Sequence, residues 1–184
     1  MKGPTLQTHR LILRRWRDQD REPFARMNAD PQVMAHFARP LERAESDAFV
    51  DRIEARFEER GYGLWAVERR SDGAFLGFTG LAYHTFEAHF TPCVEVGWRL
   101  DVPAWGHGYA TEAARESLRF GFEKADLDAI VSFATISNLR SARVMERIGL
   151  HRDPADDFEY PNLPPGHPLR PHLLYRLRRE EFQP

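Results

Sequence analysis

Cysteine is nearly missing from this sequence of 184 residues, where Cys93 stands alone. A disulfide within the chain is therefore excluded, and a reducing cytoplasm is the expected setting. Lysine is almost as scarce: Lys2 and Lys124 are the only ones, and arginine supplies nearly all the positive charge. Coding bias explains that better than a binding signal. A strong charge of either sign is also lacking. The net charge of −2 gives no global attraction to nucleic acid or to an anionic membrane. No apolar run has the length of a membrane span, and the first residues lack the apolar core of a secretion signal. Internal repeats and low-complexity tracts are missing too. What is present, 42% apolar and 12% aromatic residues, suits one compact domain over residues 1–184 with a sizeable core.

The chain is organised around residues 94–150. Residues 93–100 read as a strand in which Cys93, Glu95, Gly97 and Arg99 share one face and Val94, Val96, Trp98 and Leu100 the other. Gly97 invites a bulge that would splay this strand from its neighbour. The run Trp105-Gly106-His107-Gly108-Tyr109-Ala110 follows, and a helix opens directly after it. Ala110, Ala113, Ala114, Ser117, Leu118, Gly121 and Phe122 recur at helical spacing, one buried stripe of small and apolar groups. Two glycines at a strand-to-helix junction let the backbone approach a ligand closely. The first N–H groups of the helix lack intrahelical partners and sit at its positive end, which makes a cradle for a phosphate or pyrophosphate. The spacing of a nucleotide triphosphatase loop is not there. A dinucleotide fingerprint fails as well, because Thr111 stands where its third glycine belongs. Residues 129–135 read as the next strand. A second helix follows, with Ser137 or Asn138 as its cap and Gly149 as a left-handed terminator.

Around this centre, residues 6–16 read as a first strand and 18–28 as a helix broken by Asp30-Pro31. Residues 33–38 read as a short helix or turn. A longer helix carries Phe49, Val50, Ile53 and Phe57 and ends at Gly61-Tyr62-Gly63. Residues 64–68 and 75–83 are two strands joined by Ser71-Asp72-Gly73. Residues 84–92 form a loop; its His84 and His89 are better read as surface histidines than as a metal pair, since no ligand set completes them. Six prolines between 153 and 171 disfavour any long regular element there. A stiff loop is expected before a last strand at 172–178.

These residues carry a resemblance. The order strand, W-G-H-G-Y-A-T-E-A, strand, S-N-x-x-S, helix, I-G-L is similar to the GCN5-related N-acetyltransferase superfamily. The opening T-x-R-L-x-L-R, the G-Y-G-L-W-A-V stretch and the closing H-x-L-Y-R-L resemble its RimJ/RimL branch. The likeness covers nearly the whole chain. It implies an α/β domain with a mixed, mostly antiparallel, splayed sheet flanked by helices. It also implies acetyl-CoA as co-substrate, lying along Leu100 and Val102 to the cradle formed by Trp105, Gly106, His107, Gly108, Tyr109, Ala110 and Thr111. Asn138 would meet the pantetheine arm, with Ser141 beside it; without the resemblance, the two read as a helix cap and a surface serine. No metal is implied. The family's Gln or Arg three residues before the first glycine is Pro103 here, and a tyrosine able to protonate the departing thiolate is replaced by Met145.

The reaction expected is transfer of an acetyl group from acetyl-CoA to a primary amine, on a small molecule or a protein N-terminus, by direct attack. Glu95 is the one carboxylate in the strand beside the expected thioester, and it stands as either the base that takes the amine's proton or an exposed strand residue. With Met145 unable to act, Ser141 is the candidate for the thiolate. A backbone N–H freed by the bulge near Gly97 and Trp98 would stabilise the oxyanion. The irregular stretches 34–40, 84–92 and 153–171 hold Phe37, Phe86, Phe90, Phe158 and Tyr160, and are expected to wall the acceptor side or a subunit contact. A homodimer is left open, and no nucleic-acid or membrane partner is expected. The alternative is a non-catalytic acyl-CoA binding or sensing module of the same fold.

Overall fold

The structure, a computed structural model, describes residues 3–183. The first strand expected is in fact two. β1 (Leu6–Gln7) and β2 (Leu11–Arg14) pair antiparallel around a turn at Thr8, whose hydroxyl accepts the Leu11 N–H at 3.0 Å. Ile12 interrupts the alternation expected of a strand but sits here in a narrow ribbon. Two helices follow, α1 (Asp18–Ala29) and α2 (Arg43–Arg60). Asp20 closes the first turn of α1 by accepting the Arg17 N–H at 2.8 Å. Gly61, in the left-handed region at φ 74°, ends α2. Residues 31–36 between them are turn, not helix.

β3 (Leu64–Arg69), β4 (Phe75–His84) and β5 (Cys93–Leu100) form an antiparallel meander. α3 (Tyr109–Glu123) leads to β6 (Ala129–Thr135), and α4 (Leu139–Arg147) leads to β7 (His151–Arg152). The proline-rich stretch holds only a short 3₁₀ turn and β8 (Phe158–Glu159) before β9 (Pro171–Arg178). The sheet order is β1-β2-β3-β4-β5-β6-β9-β7, with β8 also on β9. All pairings are antiparallel except β5–β6, so the fold is mixed, mostly antiparallel and flanked by helices.

The β5–β6 pairing positions everything that follows. These two strands share one registered pair, Glu95 with Val131. The Val96 carbonyl is satisfied by the Ser132 hydroxyl at 2.8 Å, so a side chain stands where a ladder N–H would. Beyond it the strands part. The bulge expected at Gly97 is not there: β4 and β5 run in continuous register from Gly77–Leu100 to His84–Cys93. The irregularity lies instead between Val67 and Glu68, in the β3–β4 pairing. The splay is a property of the gap between two strands, not of a kink in one.

Apolar faces cover both sides of the sheet. Phe24, Phe57 and Trp65 are fully buried, and truncating any one to alanine would cost about 3–5 kcal/mol. The small-residue stripe of α3 packs onto the sheet as its spacing predicts: Ala113, Ala114, Ser117 and Leu118 are all sealed. A Cβ at Gly121 would fall 2.6 Å from the Ile130 side chain and 3.2 Å from that of Leu81. Arg14 is buried too, held by Asp20 at 2.7 and 2.9 Å and by Glu68 at 2.7 Å, which ties β2 to α1 and β3. Removing both carboxylates would strand a buried charge, at about 3–5 kcal/mol. Among the described residues, no helix is long and apolar enough to cross a membrane.

Candidate functional site

The glycine cradle has the geometry its sequence implies. Gly106 and Gly108 both lie at φ 79°, a region that costs other residues roughly 1–2 kcal/mol, and Gly108 is the N-cap of α3. The Glu112 N–H is the first to reach a helical acceptor, Gly108 O at 3.0 Å. The amides of Tyr109, Ala110 and Thr111 are left at the positive end of a 15-residue helix, ready for an anion. A Cβ on Gly106 would meet nothing within 4 Å, so the approach to the loop is open. Asp101 caps the 3₁₀ turn Val102–Ala104 by accepting the Val102 N–H at 2.8 Å, and Pro103 is part of that turn. Trp105 donates its indole N–H to Leu100 O at 2.8 Å and carries the Arg140 guanidinium 4.8 Å over its ring. That stacking brings the start of α4 against the cradle.

A feature invisible to local spacing holds this loop in place. Glu112 accepts three hydrogen bonds from the β1–β2 turn: Thr8 hydroxyl at 2.6 Å, Arg10 N–H at 2.9 Å and Arg10 Nε at 2.7 Å. Arg10 Nη1 then donates to His107 O at 2.9 Å, inside the cradle, and its guanidinium lies 4.7 Å over the Tyr109 ring. Burial alone would raise the Glu112 carboxyl, but these donors outweigh it and hold the group below the ordinary carboxylate range. The T-x-R of the opening motif and the T-E of the cradle motif are therefore one clasp. Nothing in the local sequence around Arg10 points to Glu112; the only hint was that both motifs occur in one chain. A hollow of about 640 Å³ beside the clasp is lined by His9, Arg10, Arg69, Arg70, Ser71 and Tyr109.

Glu95 lies on the opposite side of the sheet from α3. Leu81, which meets α3 at Gly121, is paired with Val96, and alternation turns Glu95, Gly97 and Arg99 the other way. The Glu95 carboxylate leans over Gly97: a Cβ there would find Oε1 at 3.5 Å, and its three nearest neighbours would all be atoms of that carboxylate. It is thus no exposed strand residue; its side chain is 17% accessible and meets His84 Nε2 at 2.7 Å. Burial depresses the imidazole's hold on its proton, yet the bond to Glu95 and its charge prevail, and the net shift of His84 is upward. Val96 O faces β6, so Trp98, two residues on, presents its N–H to the same widening gap.

Cys93 is also on this face. Burial first, then the charge of Glu95, pushes its thiol up to about 12, which keeps it protonated and poor as a nucleophile. His84 and His89 do not converge: His89 pairs with Asp156 at 3.3 Å.

Two of the three loops converge on the Glu95 side. Phe86 and Phe90, from 84–92, pack with Phe158 and Tyr160, from 153–171, around Phe133 of β6 and His172 of β9. His84 joins them, 5.5 Å from both Phe86 and Phe133, which seats the wall beside Glu95. Phe133 and His172 were not singled out from the sequence; both lie on strands, not on the loops expected to wall the site. Phe37, from 34–40, is separate: it is 41% exposed and lies 4.1 Å from the Arg99 guanidinium.

At the start of α4, Asn138 accepts the Ser141 N–H at 3.1 Å and so is a helix cap. The Ser141 hydroxyl is partly buried and makes no hydrogen bond among the described residues. Met145 is sealed in the core. Ile136 and Leu139 flank this corner with 48% and 59% of their surface exposed, large apolar side chains left beside the gap.

Comparison with known proteins agrees with this geometry. The sequence profile of the acetyltransferase (GNAT) domain matches residues 10–151. The FsC-acetyl coenzyme A-N(2)-transacetylase of Aspergillus fumigatus is 30% identical over 186 aligned positions, covering 97% of this chain and 78% of that protein. The uncharacterized YkkB of Bacillus subtilis is 32% identical over 149 residues, covering 79% and 84%. The crystal structure of an acetyltransferase from Agrobacterium tumefaciens superposes with a TM-score of 0.78 at 28% identity, over 95% of this chain and 94% of that one.

Proposed function

The chain belongs to the acetyltransferase (GNAT) domain family, and from that premise we propose that it moves an acetyl group from acetyl-CoA to a primary amine by direct attack. Acetyl-CoA supplies the activated acetyl group as a thioester. The residues present suit it: two left-handed glycines and three open amides for the pyrophosphate, then the parting of β5 and β6 for the arm, where Leu100, Val102, Asn138 and Ser141 would meet it. The observation that carries the reading is the Glu95 carboxylate, held by His84 and leaning over Gly97 at the parting of the strands. There it would take the proton that the amine loses as its nitrogen bonds the acetyl carbon, directly or through one water. The Trp98 N–H would face the developing oxyanion. Ser141 would donate to the sulfur as the carbon–sulfur bond breaks. The fold contributes mainly position.

Cys93 has no part in this scheme, since a thiol held near 12 cannot carry the acetyl group at neutral pH. Among relatives, an enzyme named for acetyl coenzyme A and an N(2) position favours an amine acceptor. The opening T-x-R motif, joined to the cradle at Glu112, favours the RimJ/RimL-like branch. The decisive assay is thiol release from acetyl-CoA with a panel of small amines and N-terminal peptides. Coenzyme binding without turnover of any of them would overturn the reading in favour of a sensing module.

A further inference from the structure

Arg99 is a half-buried cation near the site that the scheme above does not use. Its Nη1 donates to the neutral Asn28 Oδ1 at 2.7 Å, and Phe37 stacks over it. Nε is shut off from solvent without a partner, and Nη2 makes no hydrogen bond among the described residues. No carboxylate among those residues comes within salt-bridge reach of it, in a protein whose fully buried arginine, Arg14, has two. Burial pulls the Arg99 guanidinium down to about 10, so it stays charged at neutral pH. A charge kept out of water without a counter-ion is costly. The Nε–Nη2 edge is moreover the fork that matches a carboxylate or phosphate with two parallel bonds.

Its surroundings point to what completes it. Arg99 shares its face of β5 with Gly97 and Glu95, and four residues of strand separate it from Glu95 by roughly 13 Å along the backbone. The two charges therefore do not neutralise each other. Gly97, without a side chain, puts nothing of its own between them, and the three atoms nearest its missing Cβ are those of the Glu95 carboxylate. The coenzyme's phosphates cannot serve, because their cradle belongs to α3, on the opposite face. Phe37, in a segment with no helix or strand, is the nearest of three rings about the guanidinium, ahead of Phe78 and Phe49.

We propose that Arg99 binds an anionic group, a carboxylate or phosphate, carried by the acceptor itself, which makes the acceptor an amino acid-like or phosphorylated amine rather than a polyamine. The inference rests on the acetyl-transfer reading for the placement of the amine, over Gly97 and against Glu95, with the anion reaching toward Arg99.

The test is calorimetric titration of the protein saturated with coenzyme A, using 3-phenylpropionate and its uncharged counterpart 3-phenylpropan-1-ol. The acid should bind at least about tenfold more tightly than the alcohol. Arg99→Met should erase that preference and Arg99→Lys restore part of it. Asn28→Asp gives Arg99 an internal counter-ion without removing the guanidinium; it should abolish the preference while the melting temperature holds or rises, which separates loss of the site from loss of the fold. Equal binding of acid and alcohol, no acid binding at millimolar concentration, or a preference that survives in Arg99→Met overturns the proposal. Acid binding with no amine turned over would instead overturn acetyl transfer and leave the anion site standing; turnover without acid preference would do the reverse.

Discussion

Replacing Glu112 with glutamine tests whether the clasp, rather than the glycines alone, shapes the cradle. The carboxylate receives Thr8 Oγ1, Arg10 N and Arg10 Nε at 2.6–2.9 Å, with its side chain 19% accessible. Glutamine keeps one oxygen for Thr8 and the Arg10 amide, but turns an NH₂ toward Arg10 Nε, so one charge-assisted bond is lost. Such a bond is worth about 1.5–3 kcal/mol. For a chain of this size that corresponds to a fall in Tm of roughly 3–12 °C. Arg10, released, no longer steadies His107 O, so the KM for acetyl-CoA should rise several-fold while kcat at saturation changes little. Linkage gives a second signature. The Glu112 carboxyl is held below its ordinary value in the folded state, so its stabilisation is complete above the unfolded pKa, near 4.3, and is lost as pH falls through the lower folded value. Acid unfolding should therefore begin at lower pH in the wild type than equal contributions from other carboxylates would give, and Glu112→Gln should flatten that part of the curve. Scanning calorimetry across pH 3–7 with acetyl-CoA kinetics at pH 7 reads both. An unchanged Tm together with an unchanged KM would refute the reasoning.

Five further outcomes follow from the site. Glu95→Gln should depress turnover most near neutral pH and recover in part at higher pH, where more free amine is present; a uniform loss across pH would remove Glu95 as base. The rate of the wild type should climb as pH rises through the upward-shifted His84 value, because loss of the imidazolium makes Glu95 a better proton acceptor, and His84→Gln should abolish that limb of the pH profile. Ser141→Ala should lower kcat by roughly 10²-fold or less while acetyl-CoA affinity by titration stays nearly intact; Cys93→Ala should leave turnover essentially unchanged and trap no acetylated protein by mass spectrometry. Gly108→Asp should weaken acetyl-CoA by at least about tenfold, roughly 1.4 kcal/mol, even though Arg10 Nη2 stands 3.5 Å from the added Cβ; unchanged affinity would sink the cradle assignment.

The parts of the molecule legible in its sequence are those fixed by neighbours along the chain. β5 and β6 fall where alternation and flanking breakers put them, and the α3 stripe is buried as its spacing demands. Gly61 and Gly149 end helices because a left-handed residue is needed within one turn. What escaped depends on partners far away. β1 and β2 divide because Thr8 turns the chain to meet Glu112, 104 residues on; β8 exists only as two residues laid against β9. Gly97 suggested a bulge because glycine in a strand commonly marks one, yet the parting it was meant to explain lies between β5 and β6 and is written in Ser132. Arg99 reads in sequence as one more strand arginine; its isolation appears only when Asn28, Phe37 and Phe49 close around it.

The single registered pair between β5 and β6 makes the sheet mechanically two plates, β1–β5 and β6–β9 with β7 and β8, meeting along a soft seam. Stiffness across that seam does not come from a ladder. It comes from α3, which touches β4 and β5 on one plate and β6 on the other, and from the Ser132 hydroxyl. The spacing of the plates consequently depends on side-chain volume under α3, above all at Gly121, where a Cβ would meet Ile130 of β6 and Leu81 of β4, and not on hydrogen-bond geometry alone. Enlarging that residue would pry the plates apart like a shim, changing how large an acyl group the seam admits without touching any residue that meets the ligand.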